Sequence, residues 1–169
     1  GVTDSIDGFL SMFKHLRTLQ ADTNHLTRLP DALGAMRYLK MLVLSDGAIQ
    51  LTESSVAALK ALTRLEFLGL SLNPLRLAPD FSRMLHLRGA ELSQCELSSW
   101  PAGLFDQPRP ENFSLNLNLN ALTDIPDAVP GSDQARILAR TRLTREQVSE
   151  GVLEKFKAYK SSVGMDPER

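Results

Sequence analysis

Between residues 114 and 120 apolar and polar side chains alternate strictly: Leu115, Leu117 and Leu119 fall on one side, Asn116, Asn118 and Asn120 on the other. A period of two residues predicts a strand with one buried and one polar face. The stretch reads "SLNLNLNALTDIP", and Pro126 follows six residues after Asn120. No second alternating run lies within it to close a hairpin, so the strand needs a pairing partner from elsewhere in the chain.

The same frame recurs. Leu16, Leu19, Ala21, Asn24, Leu26 and the pair Leu29 and Pro30 form a first copy, and Leu39, Leu42, Leu44, Gly47, Ile49 and Thr52 a second. Leu65, Leu68, Leu70, Asn73, Leu75, Ala78 and Pro79 form a third, and Leu87, Ala90, Leu92, Cys95, Leu97, Trp100 and Pro101 a fourth. Asn112, Leu115, Leu117, Asn120, Leu122, Ile125 and Pro126 form the fifth. Starts at 16, 39, 65, 87 and 112 give periods of 23, 26, 22 and 25 residues. Five in-frame copies of Leu-x-x-Leu-x-Leu-x-x-Asn-x-Leu are the signature of a leucine-rich repeat. The predicted fold class is therefore an α/β solenoid, with short parallel strands on a concave face and turns or short helices on the convex face. Each unit buries its leucines only against its neighbours, and each fully buried leucine contributes roughly 1.5–3 kcal/mol.

An inward asparagine carries both donors and an acceptor for backbone groups left unpaired where the chain turns off the strand. That column reads Asn24, Gly47, Asn73, Cys95, Asn120. Gly47 breaks it, which predicts a looser, irregular turn in "SDGAIQ". On the convex side, "LPDALGAM" and "APDFSRM" read as short turns, whereas "TESSVAALKALTR" reads as a helix capped by Thr52. The stretch "TDSIDGFLSMFKH" matches that helix position by position: Thr3 with Thr52, Asp4 with Glu53, Leu10 with Leu59, Phe13 with Leu62, Leu16 with Leu65. Residues 1–15 are thus expected to be the convex half of a truncated preceding repeat, residues 16–132 the five repeats, and residues 133–169 a degenerate repeat or a C-terminal helical cap and linker. A chain that opens on Gly1 without methionine reads as an excised fragment. In the last part, Thr144 and Gln147 suggest a capping box. Val148, Val152, Phe156, Tyr159 and Val163 then give a helical stripe ended by Gly164 and Pro167.

Composition narrows the function. The formal net charge of −1 leaves no basic excess to neutralise phosphates, which argues against nucleic-acid binding. One cysteine excludes an internal disulfide framework and a cysteine-ligated zinc site. The sequence has no apolar run long enough for a membrane span, and its first residues do not form a signal peptide. His15 and His86 occupy equivalent positions on different turns, and both read as solvated; Cys95 reads as a buried member of the asparagine column with no base beside it. No catalytic, metal or cofactor site and no small-molecule substrate is expected, and the chain by itself reads as a binding module.

The binding face follows from strand geometry, because side chains between the inward leucines point to the concave side. The first outward column reads Thr18, Met41, Phe67, Gly89, Ser114; the second Gln20, Val43, Gly69, Glu91, Asn116; the third Asp22, Ser45, Ser71, Ser93, Asn118. Met41, Val43 and Phe67 form an apolar patch on a face expected to be solvated, with Gly69 and Gly89 leaving a dip beside it. Exposed apolar patches mark partner sites. The partner-binding set is Met41, Val43, Phe67, Gly69, Gln20, Glu91 and Asn116.

The "LP" after the strand, the turn "WPAGLFDQP" and the tail "ARILARTRLTREQVSEGVLEKFKAYKSSVGMDPER" resemble the bacterial leucine-rich-repeat effectors that end in the novel E3 ligase (NEL) domain. The resemblance implies that the repeats select a host protein substrate in the host cytoplasm, after secretion. It also implies that a downstream helical domain transfers ubiquitin from the cysteine of a Cys-x-Asp motif. The repeats would shield that ligase domain until a target binds. This chain contains no Cys-x-Asp; Cys95-Glu96-Leu97 does not match, and no catalytic residue carries over. A non-enzymatic leucine-rich-repeat adaptor and a structural spacer in a larger toxin-like protein are the alternative readings.

Overall fold

A computed structural model describes residues 2–168. The chain runs α1 (Val2–Leu10), β1 (Thr18–Gln20), a 3₁₀ turn (Asp31–Ala35), β2 (Met41–Val43), α2 (Glu53–Lys60), β3 (Phe67–Gly69), β4 (Gly89–Glu91) and β5 (Ser114–Asn116). It continues with α3 (Asp133–Ala139), β6 (Thr141–Arg142), a second 3₁₀ turn (Arg145–Gln147) and α4 (Glu150–Ser162). The six strands form one parallel sheet whose spatial order is the sequence order. Such an order requires every strand to be followed by a crossover returning to the same edge, which is what a repeating unit supplies. The strand of residues 114–116 therefore pairs with β4 on one side and β6 on the other, and no hairpin forms.

One row runs through the register: Leu19, Leu42, Leu68, Ala90, Leu115 and Thr141 are successive partners. Leu42, Leu68, Ala90 and Leu115 are buried, and with the second inward row of Leu44, Leu70, Leu92 and Leu117 they make the spine of the main core. On the far side of that core, α2 forms as its sequence predicts. Thr52 Oγ1 accepts from Ser55 N at 3.2 Å, Ser55 Oγ accepts from Thr52 N at 2.7 Å, and Leu59 faces inward. Both α1 and α2 pack on the 3₁₀ turn Asp31–Ala35.

After β1 to β5 the chain turns through a left-handed residue, Thr23, Asp46, Leu72, Gln94 and Leu119, with φ between 51° and 62°, and Arg76 and Glu96 are left-handed further along the third and fourth turns. This conformation is unfavourable for residues bearing a Cβ, and neighbouring turns hold it in place. The amides of Thr23, Asp46, Leu72 and Gln94 donate to the carbonyls of Ser45, Ser71, Ser93 and Asn118 in the next turn. At the last of these, the amide of Leu119 donates instead to Thr144 Oγ1 at 2.7 Å.

The expected looseness at "SDGAIQ" is not found. Asp46 takes the same left-handed conformation as its equivalents, and Gly47 N donates to Leu72 O at 3.0 Å. The glycine is needed because Asn24 and Asn73 converge on it: a Cβ there would lie 2.5 Å from Asn24 Oδ1 and 2.8 Å from Asn73 Oδ1.

The C-terminal region also departs from expectation in detail. The capping box at Thr144 does not form, since that side chain makes no cap hydrogen bond and serves Leu119 instead; the side chain of Gln147 lies outside the described residues. Helix α4 starts later, at Glu150, capped by Ser149 Oγ accepting from Val152 N at 3.3 Å. Its buried face is Val152, Phe156 and Tyr159, which packs with Ile125, Ala135 and Leu138 into a second, smaller core. Tyr159 Oη accepts from Ala128 N and donates to Pro126 O, fastening the helix to the chain leaving the fifth repeat. Residues 133–142, which show no repeat frame, supply α3 and the sixth strand.

One buried charge has no counterpart in the sequence reading. Arg109 is 4% exposed, and its guanidinium donates to the carbonyls of Phe81, Met84, Gly103 and Leu104. It ties two convex turns together by filling acceptors that those turns leave unpaired. Burial pulls its pKa down, opposed by Asp106.

Candidate functional site

The concave face is built by the outward side chains of the strands. Register places Thr18, Met41, Phe67, Gly89 and Ser114 in one row across it. Gln20, Val43, Gly69, Glu91, Asn116 and Arg142 form the next row. With strands ~4.8 Å apart, six of them span about 24 Å.

Met41, Val43 and Phe67 lie side by side at the N-terminal half of this face. Met41 is 37% exposed, while Val43 and Phe67 are half-buried. The dip anticipated beside them is filled. A Cβ at Gly69 would meet the Phe67 ring and Val43 at 3.3 Å, and one at Gly89 would meet the same ring at 3.5 Å. The Phe67 ring thus covers both glycines, which are buried, and the result is an apolar plate instead of a pocket. Gly69 shapes the plate by letting the ring settle and is itself covered by it.

The polar members surround the plate. Gln20 Nε2 donates to Asp22 Oδ2 at 3.3 Å at the N-terminal edge. Glu91 is half-buried one strand beyond Gly69, and Asn116 Oδ1 accepts from Asn118 N at 3.0 Å. Between them, Ser71 Oγ accepts from both the amide and the hydroxyl of Ser93 at 3.0 Å. Fixed backbone, fixed polar groups and one apolar plate make a preorganised surface, and preorganisation is a property that lowers the entropic cost of association.

Behind the face, the asparagine column works in pairs. Asn73 Nδ2 donates to Leu70 O of its own turn and to Leu44 O of the preceding turn, and its Oδ1 accepts from Ile49 N. Asn120 does the same two turns later, donating to Leu117 O and Leu92 O and accepting from Cys95 N and Leu97 N. Asn24 serves its own turn and the next, donating to Ala21 O and Ser45 O and accepting from Leu26 N.

Cys95 is fully enclosed, and its thiol donates to Leu70 O at 3.2 Å. Burial pushes that thiol up from 9.0 to about 11, against backbone contributions from Asn73 and Leu72 that act the other way. Neither access nor ionisation suits it to nucleophilic work. His15, His25 and His86 are all exposed, with His15 against the ring of Tyr38 at a centroid distance of 5.0 Å. Among the described residues no group of three or more His, Cys, Asp or Glu is arranged to hold a metal ion.

No family model and no curated protein matches the sequence. Solved structures do match. Internalin C2 from Listeria monocytogenes superposes over 91% of this chain with a TM-score of 0.64 at 21% identity. The chain has the leucine-rich-repeat fold. A leucine-rich-repeat protein of Leptospira interrogans superposes over 93% of it, with a TM-score of 0.55 at 17% identity. The repeat chain spans 61% of the first of those proteins and 50% of the second. At such identities the likeness is one of fold.

The sequence reading missed the C-terminal end of the concave face. Arg142 pairs with Asn116 in β5, so it continues the second outward row, and Arg140, the C-cap of α3, borders the same end beside Ser114. The signal available was spacing. Thr141 stands 26 residues after Leu115, the same separation as Leu68 from Leu42, but a threonine holds the place of the leucine. Among the described residues no helix is long and apolar enough to cross a membrane.

Proposed function

We propose that this chain is a protein-recognition module that seats a partner on its concave face, with the plate of Met41, Val43 and Phe67 as the anchor. The observation that carries this is the placement of an aromatic and two aliphatic side chains on the outward rows of a sheet whose inward rows already complete the core. Interface anchors are apolar or aromatic groups ringed by polar ones, and Gln20, Glu91 and Asn116 supply the polar surround. A face about 24 Å long is of the right size for a contact of about 800 Å² per partner.

A finer reading rests on the tail. Its resemblance to the NEL effectors supports a role as the substrate-recognition part of a bacterial ubiquitin ligase. That ligase would act in the host cytoplasm, with the catalytic cysteine in a downstream segment and the repeats shielding it until a target binds. Expression of the gene extended downstream tests this part: a helical region with Cys-x-Asp that forms a thioester with ubiquitin supports it, and absence of that activity rejects it.

Capture of partners from candidate host lysate tests the anchor. Met41→Asp places a carboxylate on the plate at an exposed position and is expected to reduce capture about tenfold or more, with the thermal midpoint unchanged. Equal capture by wild type and Met41→Asp would remove the plate from the interface.

A further inference from the structure

A second feature lies at the other end of the same face. Between β6 and α4 opens a cleft of about 530 Å³, bordered on the concave side by Ser114 and Asn118. Its floor is apolar, made by the half-buried Leu143 and Leu153 over the buried Phe156, and its rim carries Arg140, Arg142, Arg145 and Lys157. Lys157 is held by Glu154 and Glu168 at 3.7 and 3.6 Å. Arg140, Arg142 and Arg145 are exposed, and none of the three has an ion-pair partner among the described residues. Three unneutralised guanidinium groups around one cleft contrast with residues 1–132, where 14 Asp and Glu outnumber 11 Lys and Arg. Their field is felt nearby: burial, and then the charge of Arg145, hold Lys160 below the usual lysine range, with Asp166 opposing.

We propose that this cleft is a second docking site, one that takes an acidic protein segment by seating its apolar side chains on the Leu143 and Leu153 floor and its carboxylates against Arg140, Arg142 and Arg145. Guanidinium groups recognise carboxylates through paired donors. A polypeptide fits the cleft better than a nucleic acid does. The accessible floor is aliphatic, and Phe156 beneath it is 8% exposed and cannot offer its ring for base stacking. A polypeptide also fits better than a small metabolite, because no buried polar side chain among the described residues lacks a partner and awaits a ligand there. The site stands independently of the apolar plate, since it uses different strands and adds guanidinium groups that the plate lacks.

Fluorescence anisotropy on the whole chain tests it with a labelled octapeptide alternating glutamate and leucine. Wild type is expected to bind it, more weakly at high salt. The double variant Arg140→Glu, Arg142→Glu is expected to bind about tenfold more weakly or worse, and to gain affinity for the matching lysine–leucine octapeptide. Its circular dichroism and thermal midpoint should stay as in wild type, because both side chains are exposed. A glutamate–serine octapeptide, which lacks apolar anchors, should bind about tenfold less tightly. The proposal is overturned if wild type does not bind the glutamate–leucine peptide, or if the charge reversal leaves that binding unchanged. It also fails if the glutamate–serine peptide or a uridine oligonucleotide binds as tightly. Met41→Asp tells the two proposals apart: loss of peptide binding in that variant would place the peptide on the apolar plate and overturn the cleft, whereas unchanged partner capture by it removes the plate and leaves the cleft standing.

Discussion

Gly47 shows how much a missing side chain can contribute. The amide groups of Asn24 and Asn73 meet over it, and each is already committed to backbone partners. Gly47→Ala would force one of them off those partners although the backbone conformation itself tolerates alanine. The expected loss is about 1–3 kcal/mol of unfolding free energy, measured by urea titration. Gly8→Ala, in α1 with nothing within 4 Å of the new Cβ, is expected to stabilise by about 0.5–1 kcal/mol. Equal effects at the two sites would contradict the steric argument. Cys95 gives a pH signature on the same scale. Its pKa is raised on folding, so its contribution is complete below the unfolded value near 9.0 and is lost as pH rises towards about 11. The loss is on the order of 2–3 kcal/mol across that window. It should vanish in Cys95→Ala, whose unfolding free energy plotted against pH should be flatter between those limits.

At the scale of elements, five strands and the cap of α2 were legible, and the sixth strand and the start of α4 were not. Five strands follow from leucines because burying the same two rows in every turn fixes both spacing and register. The sixth escaped because its inward place is taken by Thr141, whose hydroxyl is satisfied within the fold by Ile137 O at 2.9 Å. Thr144 and Gln147 carry the letters of a capping box, yet tertiary context assigns the threonine to the turn of the fifth repeat. The two roles separate by mutation. Ser149→Ala should cost about 1 kcal/mol by removing the cap of α4, with loss of helical signal. Thr144→Val should destabilise through Leu119 without reducing that signal. Arg109 left no trace in the pattern, because four carbonyl acceptors are brought around it only by the packing of distant turns. The outward rows of the concave face could be read in order, but not the contact of the Phe67 ring with its two glycines, which depends on strand neighbours.

The molecule as a whole is a row of turns with unlike ends. At one end, Phe9 of α1 is 60% and Met12 just after it 76% exposed, and among the described side chains the helix sends Leu10 and Ile6 towards the core. At the other, α4 closes a separate core, with Tyr159 and Ser162 bonded to the backbone of Ala128 and Gly131 and Lys155 held by Asp127 at 2.6 Å. Hydrogen exchange should therefore report opening from the N-terminal side: amides of α1 exchange first, those of β3 to β5 last, and those of α4 well after α1. Uniform exchange along the solenoid would contradict this asymmetry.

The reach of Asn73 and Asn120 into the turn before each of them has a consequence for how such a chain can grow or shrink. Excising the third turn alone would set Gly47 beside Cys95, with no amide left to answer Leu44 O and Ile49 N. Excising the third and fourth together would bring Asn120 to that position, since it makes the same contacts that Asn73 makes. Recombination, natural or engineered, is therefore tolerated here in couples of turns and resisted in single ones.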